Sequence, residues 1–287
     1  MARSVDAARP WTISRGHAWL LAAPLVFLAI FFLWPLARVV VRGFVDPALG
    51  LGNYARIFGD GPYLRVIWNT IETAAAVTAI CLVVAYPVAY VMARARGAWL
   101  QIMAALIVIP LWTSVVIRSY AWMVVFQRRG VLNDLLLGLG LVDTPVRFLP
   151  GSIGVHVGMV HIMLPFMILP LVANMRGIDQ TLLRAAEILG ANPFNAFLRV
   201  FLPLSLPGIN AGVALVFMTS LGFFITPALL GGPQHMMAAV LIEQQANVYL
   251  NWGLASALAS TLLVVTLAIY LFYLRVTGGA AGTAIGR

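Results

Sequence analysis

Six stretches of roughly 20 mostly apolar residues recur along this chain, several of them closed by arginine. They run from about Ala18 to Ala37, Ile67 to Met92, Ile102 to Phe126, Ile153 to Asn174, Ile209 to Leu230 and Leu254 to Leu274. Each is long enough to cross a bilayer. In hydrocarbon every backbone N–H and C=O must find its partner inside the protein, so continuous apolar runs of this length read as helices. Composition agrees: 62% of the 287 residues are hydrophobic and 9% charged, against about 45–50% and about 25% in a soluble domain. The expected fold class is all-α, a polytopic bundle of about six transmembrane helices in one domain.

The first run is preceded by Arg3, Arg9 and Arg15. A secretory signal has an apolar core of roughly 7–15 residues and a small-residue cleavage pattern. This run is longer, and Arg38 and Arg42 follow it at once, so it reads as a retained anchor. Residues 1–17 form an N-terminal segment, 18–275 the membrane domain with its core at about 67–274, and 276–287 a Gly/Ala/Thr tail. Residues 43–66 read as a polar loop holding Asp46, Asn53, Asp60 and Pro62. Leu135 to Leu141 is apolar but too short to cross, which suits an interfacial or bundle-packed segment. Six spans put both termini on one side. The positive-inside bias then places them in the cytoplasm of a bacterial inner membrane, with ten arginines on that side and eight on the other. The N-terminal cluster and Arg94 with Arg96 in a short loop carry that assignment. The formal charge of +9 does not point to nucleic acid, because the basic residues stand mostly singly and form no stripe. All 18 are Arg, which suits membrane rims and lipid phosphate. Cys81, the single cysteine, lies in an apolar run and reads as a packing residue.

Residues 177–208, between the fourth and fifth spans, read as two short helices. Asp179 is placed to accept from the free amides of the first. Ile178, Leu182, Ala185, Ala186 and Leu189 then share one helical face. Gly190 sits where a left-handed C-terminal cap is wanted, with Pro193 beyond it. Asn192 and Pro193 open the second helix as N-cap and first helical residue. Phe194, Phe197 and Phe201 line that helix, Pro203 is expected to end it, and Pro207 and Gly208 open the fifth span. A 12-residue helix cannot span a bilayer. With small side chains at the centre of its face it suits docking into a groove on another protein; a helix lying on lipid usually carries more basic and larger apolar residues.

The run Arg184-Ala-Ala-Glu187-Ile-Leu-Gly190-Ala-Asn-Pro, followed by Phe197, Val200 and Leu202-Pro-Leu-Ser-Leu-Pro-Gly-Ile209, resembles the EAA loop of type I ABC importer permeases. That resemblance implies a type I importer transmembrane fold and a coupling helix carrying Arg184, Ala185, Ala186, Glu187 and Gly190. It implies a separate cytoplasmic ATPase holding ATP and magnesium, a second permease chain, identical or homologous, and a periplasmic solute-binding protein. The family's leading Glu is Arg184 here, and Glu187 lies one turn along. Pro110-Leu-Trp-Thr-Ser-Val-Val-Ile-Arg118-Ser-Tyr-Ala-Trp122, Thr226-Pro-Ala-Leu-Leu-Gly-Gly-Pro233 and Asn251-Trp252-Gly are similar to the spermidine/putrescine permease group. Other small solutes, amino-acid-like, opine, thiamine or iron, belong to related permeases. Phe223 stands where an acid is looked for in some relatives.

Within the spans, Arg118 is the outstanding charge, flanked by Trp112, Tyr120 and Trp122. A mid-bilayer charge costs at least ~2.5–3.5 kcal/mol, so such a residue faces a wet pathway or reaches for the headgroups. Both readings stand at this point. Glu72, in the second span, either pairs with Arg118 or another arginine or attracts a cationic solute. His156 and His161 are five apart, a spacing that does not converge on one metal ion. Pro87, Pro110, Pro165 and Pro170 imply kinks. No phosphate-binding loop exists, and there is no Lys to serve one. No nucleophile elbow, metal constellation or paired carboxylates point to an enzyme. No internal repeat supports an ion-coupled secondary transporter, the remaining rival. The chain itself is expected to need no cofactor.

Overall fold

The computed structural model describes residues 15–59 and 61–282. The expected N-terminal segment lies outside them except for its last residues, and so does the end of the tail. Among the described residues every regular element is helical: α1 (Ala22–Val45), α2 (Gly52–Gly59), α3 (Gly61–Arg94), α4 (Ala98–Trp112), α5 (Val115–Val125), α6 (Val131–Gly138), α7 (Ser152–Arg176), α8 (Gln180–Ile188), α9 (Pro193–Leu221), α10 (Ile225–Leu230), α11 (Ala238–Glu243) and α12 (Trp252–Gly282).

Five of these, α1, α3, α7, α9 and α12, are long and apolar enough to cross a membrane. The expected third span is not one rod. Helices α4 and α5 meet at 98°, and the count reaches six if the pair is one span. Pro110 explains the break. Its ring denies the helix a donor, the chain tightens into a short turn over Ile109–Trp112, and Thr113 leaves extended. The Thr113 amide and hydroxyl both donate to the Pro110 carbonyl, at 3.2 and 2.7 Å, and hold the turn closed.

Several boundaries also differ from the sequence reading: the expected polar loop 43–66 holds the end of α1, helix α2 and the first turns of α3, which starts at Gly61 rather than Ile67. Helix α1 continues past Ala37 to Val45, and α12 past Leu274 to Gly282, with Arg38, Arg42 and Arg275 inside them. Arginine closes an apolar run, yet it is a good helix former and need not end the helix. The second short helix of the 177–208 loop runs without interruption into the fifth span. Pro203 does not end it. The turn before it opens to a wider π geometry over Phe197–Phe201, and the Leu202 amide donates to the Phe197 carbonyl five residues back. That turn accommodates the ring that a regular α turn would reject. The far end of α9 then stops at Leu221, and residues 225–230 form α10 separately. Residues 131–138 form the short α6 in the region expected not to cross.

The main core lies where α3, α7 and α9 pack on one another. Val77, Cys81, Ala85 and Ala89 make a ridge of small side chains along α3, each fully buried. Against them α7 sets Met159, Met163, Met167, Leu171 and Met175, so large flexible side chains fill the space the small ones leave. A second cluster joins Ile57 of α2 and Ile67 of α3 to Leu254, Ala257 and Leu258 of α12. Helix α12 also receives α1. Arg42 pairs with Asp46 at 3.1 Å and lies 4.9 Å over the Trp252 ring. Just beyond α1, the Asn53 amide donates to the Gly43 and Asp46 carbonyls at 3.0 and 2.7 Å. Asn53→Ala strands both acceptors. It is expected to lower stability by about 2 kcal/mol, read as an earlier thermal transition of the purified chain; an unchanged transition would remove Asn53 as the clasp.

Candidate functional site

Two groups of residues bear on function, and the first is the loop around α8. Asp179 caps it: the Thr181 amide donates to the carboxylate at 2.9 Å. At the other end the Gly190 amide donates to Glu187 and the Ala191 amide to Ala186, while Gly190 takes φ +90°. That is the double closure that ends a helix in the left-handed region, where glycine has no Cβ to clash. Asn192 caps the following helix by accepting from the Asn195 amide at 2.7 Å. The expected start and stop signals of α8 are thus realised.

The face of α8 is divided in a way the periodicity does not reveal. Leu183 is buried against the chain's own bundle, and Ala186 and Ile178 pack partly against that core. Leu182, Ala185, Ile188 and Leu189 are exposed, the last two at 86% and 87%. Ala186 therefore sits on the seam between self and surroundings, and Ala185 is the small residue that faces outward. Arg184 and Glu187 are both exposed, and they form no ion pair with each other. Below the loop, Tyr86, Tyr90, Phe197 and Phe201 pack edge to face with centroids 5.0–6.0 Å apart, and the Arg94 guanidinium lies 3.9 Å over Tyr90. That cluster ties the end of α3 to the start of α9, and α8 packs on the same start of α9, so the two move together.

Hydrogen bonding by the Thr181 backbone holds the Asp179 carboxyl below the usual carboxylate range. A depressed native pKa gives stabilisation that is complete above the unfolded value and is lost as pH falls through the native one. Asp179→Ala is expected to speed amide exchange at residues 181–183 at neutral pH. Asp179→Asn keeps the cap and removes its acid sensitivity. Equal exchange in all three proteins would dismiss the cap.

The second group surrounds Arg118, in the first turn of α5. The bend after Trp112 lays α5 against α7 and α10. Ser119 and Thr226 share a hydroxyl hydrogen bond of 2.8 Å, and Gly158 of α7 leaves room for Thr226 and Leu230 to close in. Arg118 is 9% exposed. A side chain reaching for headgroups would be open, so the bundle-facing reading is the one its burial favours. One turn on, the Trp122 indole N–H donates to Nδ1 of His161 at 3.1 Å. Trp122 also stacks on Phe126 at 5.1 Å.

Other expected pathway residues are not gathered here. Trp112 is 90% exposed at the bend, and Tyr120 is on the open side of α5. Glu72 is exposed on α3 and pairs with no arginine; among the described residues the one ion pair is Arg42–Asp46. The pairing expected for Glu72 is therefore absent among the described residues. Arg118 and Trp122, four apart on one helix face, were legible as neighbours. His161, set aside for its unsuitable metal spacing, comes to them from α7 through tertiary packing that no local pattern announces. Among the described residues no group of three or more His, Cys, Asp or Glu side chains could hold a metal ion.

Residues 85–277 match the family described as "Binding-protein-dependent transport system inner membrane component". The chain is 37% identical to the spermidine/putrescine transport system permease protein PotB of Haemophilus influenzae over 77% of each chain. It is 31% identical to the inner membrane ABC transporter permease protein YdcU of Escherichia coli over 92% of this chain and 90% of that one. In three dimensions it resembles a chain of a bacterial ABC transporter that imports the acidic polysaccharide alginate, with TM-score 0.73, 20% identity, and coverage of 91% of this chain and 96% of that one. The protein belongs to the binding-protein-dependent inner-membrane permease family and is a multi-pass ABC importer permease.

Proposed function

We propose that this permease moves a polyamine such as spermidine or putrescine into the cell. A binding protein hands over the solute on the outside, and ATPase subunits bound beneath drive the transfer. The likeness to PotB supports the solute class. The observation that carries the mechanism is α8, capped at both ends, anchored inward by Leu183, and presenting Leu182, Ala185, Ile188 and Leu189 to the outside. Leucine and isoleucine side chains exposed to this extent favour burial against a partner.

The membrane domain spans 18–275, and its coupling loop 177–208 faces the cytoplasm, as do both termini. ATP and magnesium belong to the partner ATPase. Arg184, Ala185, Glu187 and Gly190 shape the docking surface, and Ala186 joins it to the bundle. ATP binding draws two ATPase subunits together. Two permease chains, one above each, are moved by their α8 levers as rigid elements, so the pore opens alternately to either side. Because α9 is continuous from Pro193 to Leu221, a push at its start is transmitted along a helix that lines the core.

The test is gentle solubilisation followed by capture of this chain and an ATPase assay. ATPase activity carried down with the permease, with uptake of labelled putrescine by vesicles containing the complex, is the expected result. Capture with no ATPase would overturn the importer mechanism; ATPase without uptake of any polyamine would overturn the solute.

A further inference from the structure

We infer that Arg118 and His161 form a receptor for a carboxylate supplied from outside this chain. Nε and Nη1 of Arg118 are buried and have no hydrogen-bond partner. None of the acidic side chains in the described residues lies within 4.0 Å of the guanidinium. Unpaired buried guanidinium donors are expensive, and a charge left alone costs more than a neutral group. The position compounds the cost. Arg118 lies in the first turn of α5, where the helix dipole is positive, and Ser114 places no side-chain cap on that end.

His161 adds a second donor. Its Nδ1 accepts the Trp122 indole proton, so the neutral ring carries its own proton on Nε2 and presents only N–H there. The guanidinium, the Nε2–H and the helix end are all donors or positive; within the described chain nothing answers them. A planar guanidinium takes a carboxylate through two parallel hydrogen bonds.

Two sources of that carboxylate are open: a side chain of the second permease chain, or the solute. The polyamine reading, on which this step rests, selects the first, because a polycation is repelled by an unanswered guanidinium beside its path. The carboxylate then neutralises Arg118 and joins the two permease chains.

The experiment uses the assembled complex, comparing wild type with Arg118→Met, Arg118→Lys and His161→Met. Two readings are taken: the temperature at which the permease pair separates without solute, and the solute concentration that half-saturates stimulated ATPase activity. The probes are putrescine and ornithine, which adds a carboxylate to the same chain. Expected is an R118M pair that separates at lower temperature, with R118K and H161M intermediate. Neutralising one Asp or Glu in the membrane segments of the second permease should restore the R118M pair. If instead the pair is unaffected while half-saturation by ornithine rises by about thirtyfold, the receptor stands, its carboxylate comes from the solute, and the polyamine reading falls. Unchanged separation temperature together with unchanged half-saturation by both probes overturns the receptor. That outcome is distinct from failure of the permease reading, in which the ATPase is not captured at all.

Discussion

Gly208→Val is expected to keep the permease from reaching a stable bundle. Gly208 and Gly212 lie four apart on α9 and face α7 at close range. A Cβ on Gly208 would stand 2.7 Å from Cβ of Asn174, and one on Gly212 would stand 2.6 Å from Sδ of Met167. The difference between the two obstacles matters. A methionine sulfur can swing aside, whereas a Cβ is tied to its backbone, so at Gly208 the helices themselves must separate. Small residues at such spacing permit close helix contact where lipid offers no hydrophobic drive between helices. Overpacking a contact of this kind costs about 3 kcal/mol, a large part of what holds a marginal fold. G208V should lose most of its folded yield in membranes and show a lowered thermal midpoint in detergent, while Gly212→Ala should be milder. Asn174→Gly should recover part of the loss in G208V. A G208V protein with wild-type yield and midpoint would mean that α7 and α9 are not held this closely.

That contact also shows where sequence reasoning reaches its limit. Apolar run length located the spans, because lipid leaves the backbone little choice but a helix. The caps of α8 and of the start of α9 were legible for the same kind of reason: Asp179, Gly190 and Asn192 act on amides or dihedral angles within a few residues of themselves, and all three do so here. Pro203 was misleading because its effect depends on whether the preceding turn can widen, and at Phe197–Phe201 it does. Pro110 was read as a kink, yet the turn is 98°, since Thr113 and Ser114 continue the departure that the proline begins. The pairing of Gly208 with Asn174, and that of Trp122 with His161, join residues 34 or more apart in the chain. No periodicity encodes such pairs. The exposed and buried sides of α8 are a case between these. One apolar face was visible, but only the packed bundle shows that Leu183 and Ala186 turn inward while Ala185 and Leu189 turn out.

This division decides which substitution tests coupling. Ala186→Trp would press an indole into the chain's own core, so any loss of transport would be ambiguous. Ala185→Trp puts the same bulk on the exposed side. It should change the stability of the permease by no more than about 0.5 kcal/mol, as surface substitutions do, while preventing α8 from seating on an ATPase. Transport should be lost, and the ATPase should no longer be captured with the permease. Leu183→Ala is the complementary variant. It removes a buried side chain at a cost of about 2–3 kcal/mol and loosens α8 from the bundle without altering Leu182, Ala185 or Leu189. The ATPase should remain captured, with hydrolysis continuing, but less of its motion should reach α9, so each solute imported should consume more ATP. Measuring captured ATPase and uptake per ATP in both variants separates docking from transmission. If A185W captures ATPase and transports as wild type does, the outward face of α8 is not the docking surface, and its exposed leucines require another partner.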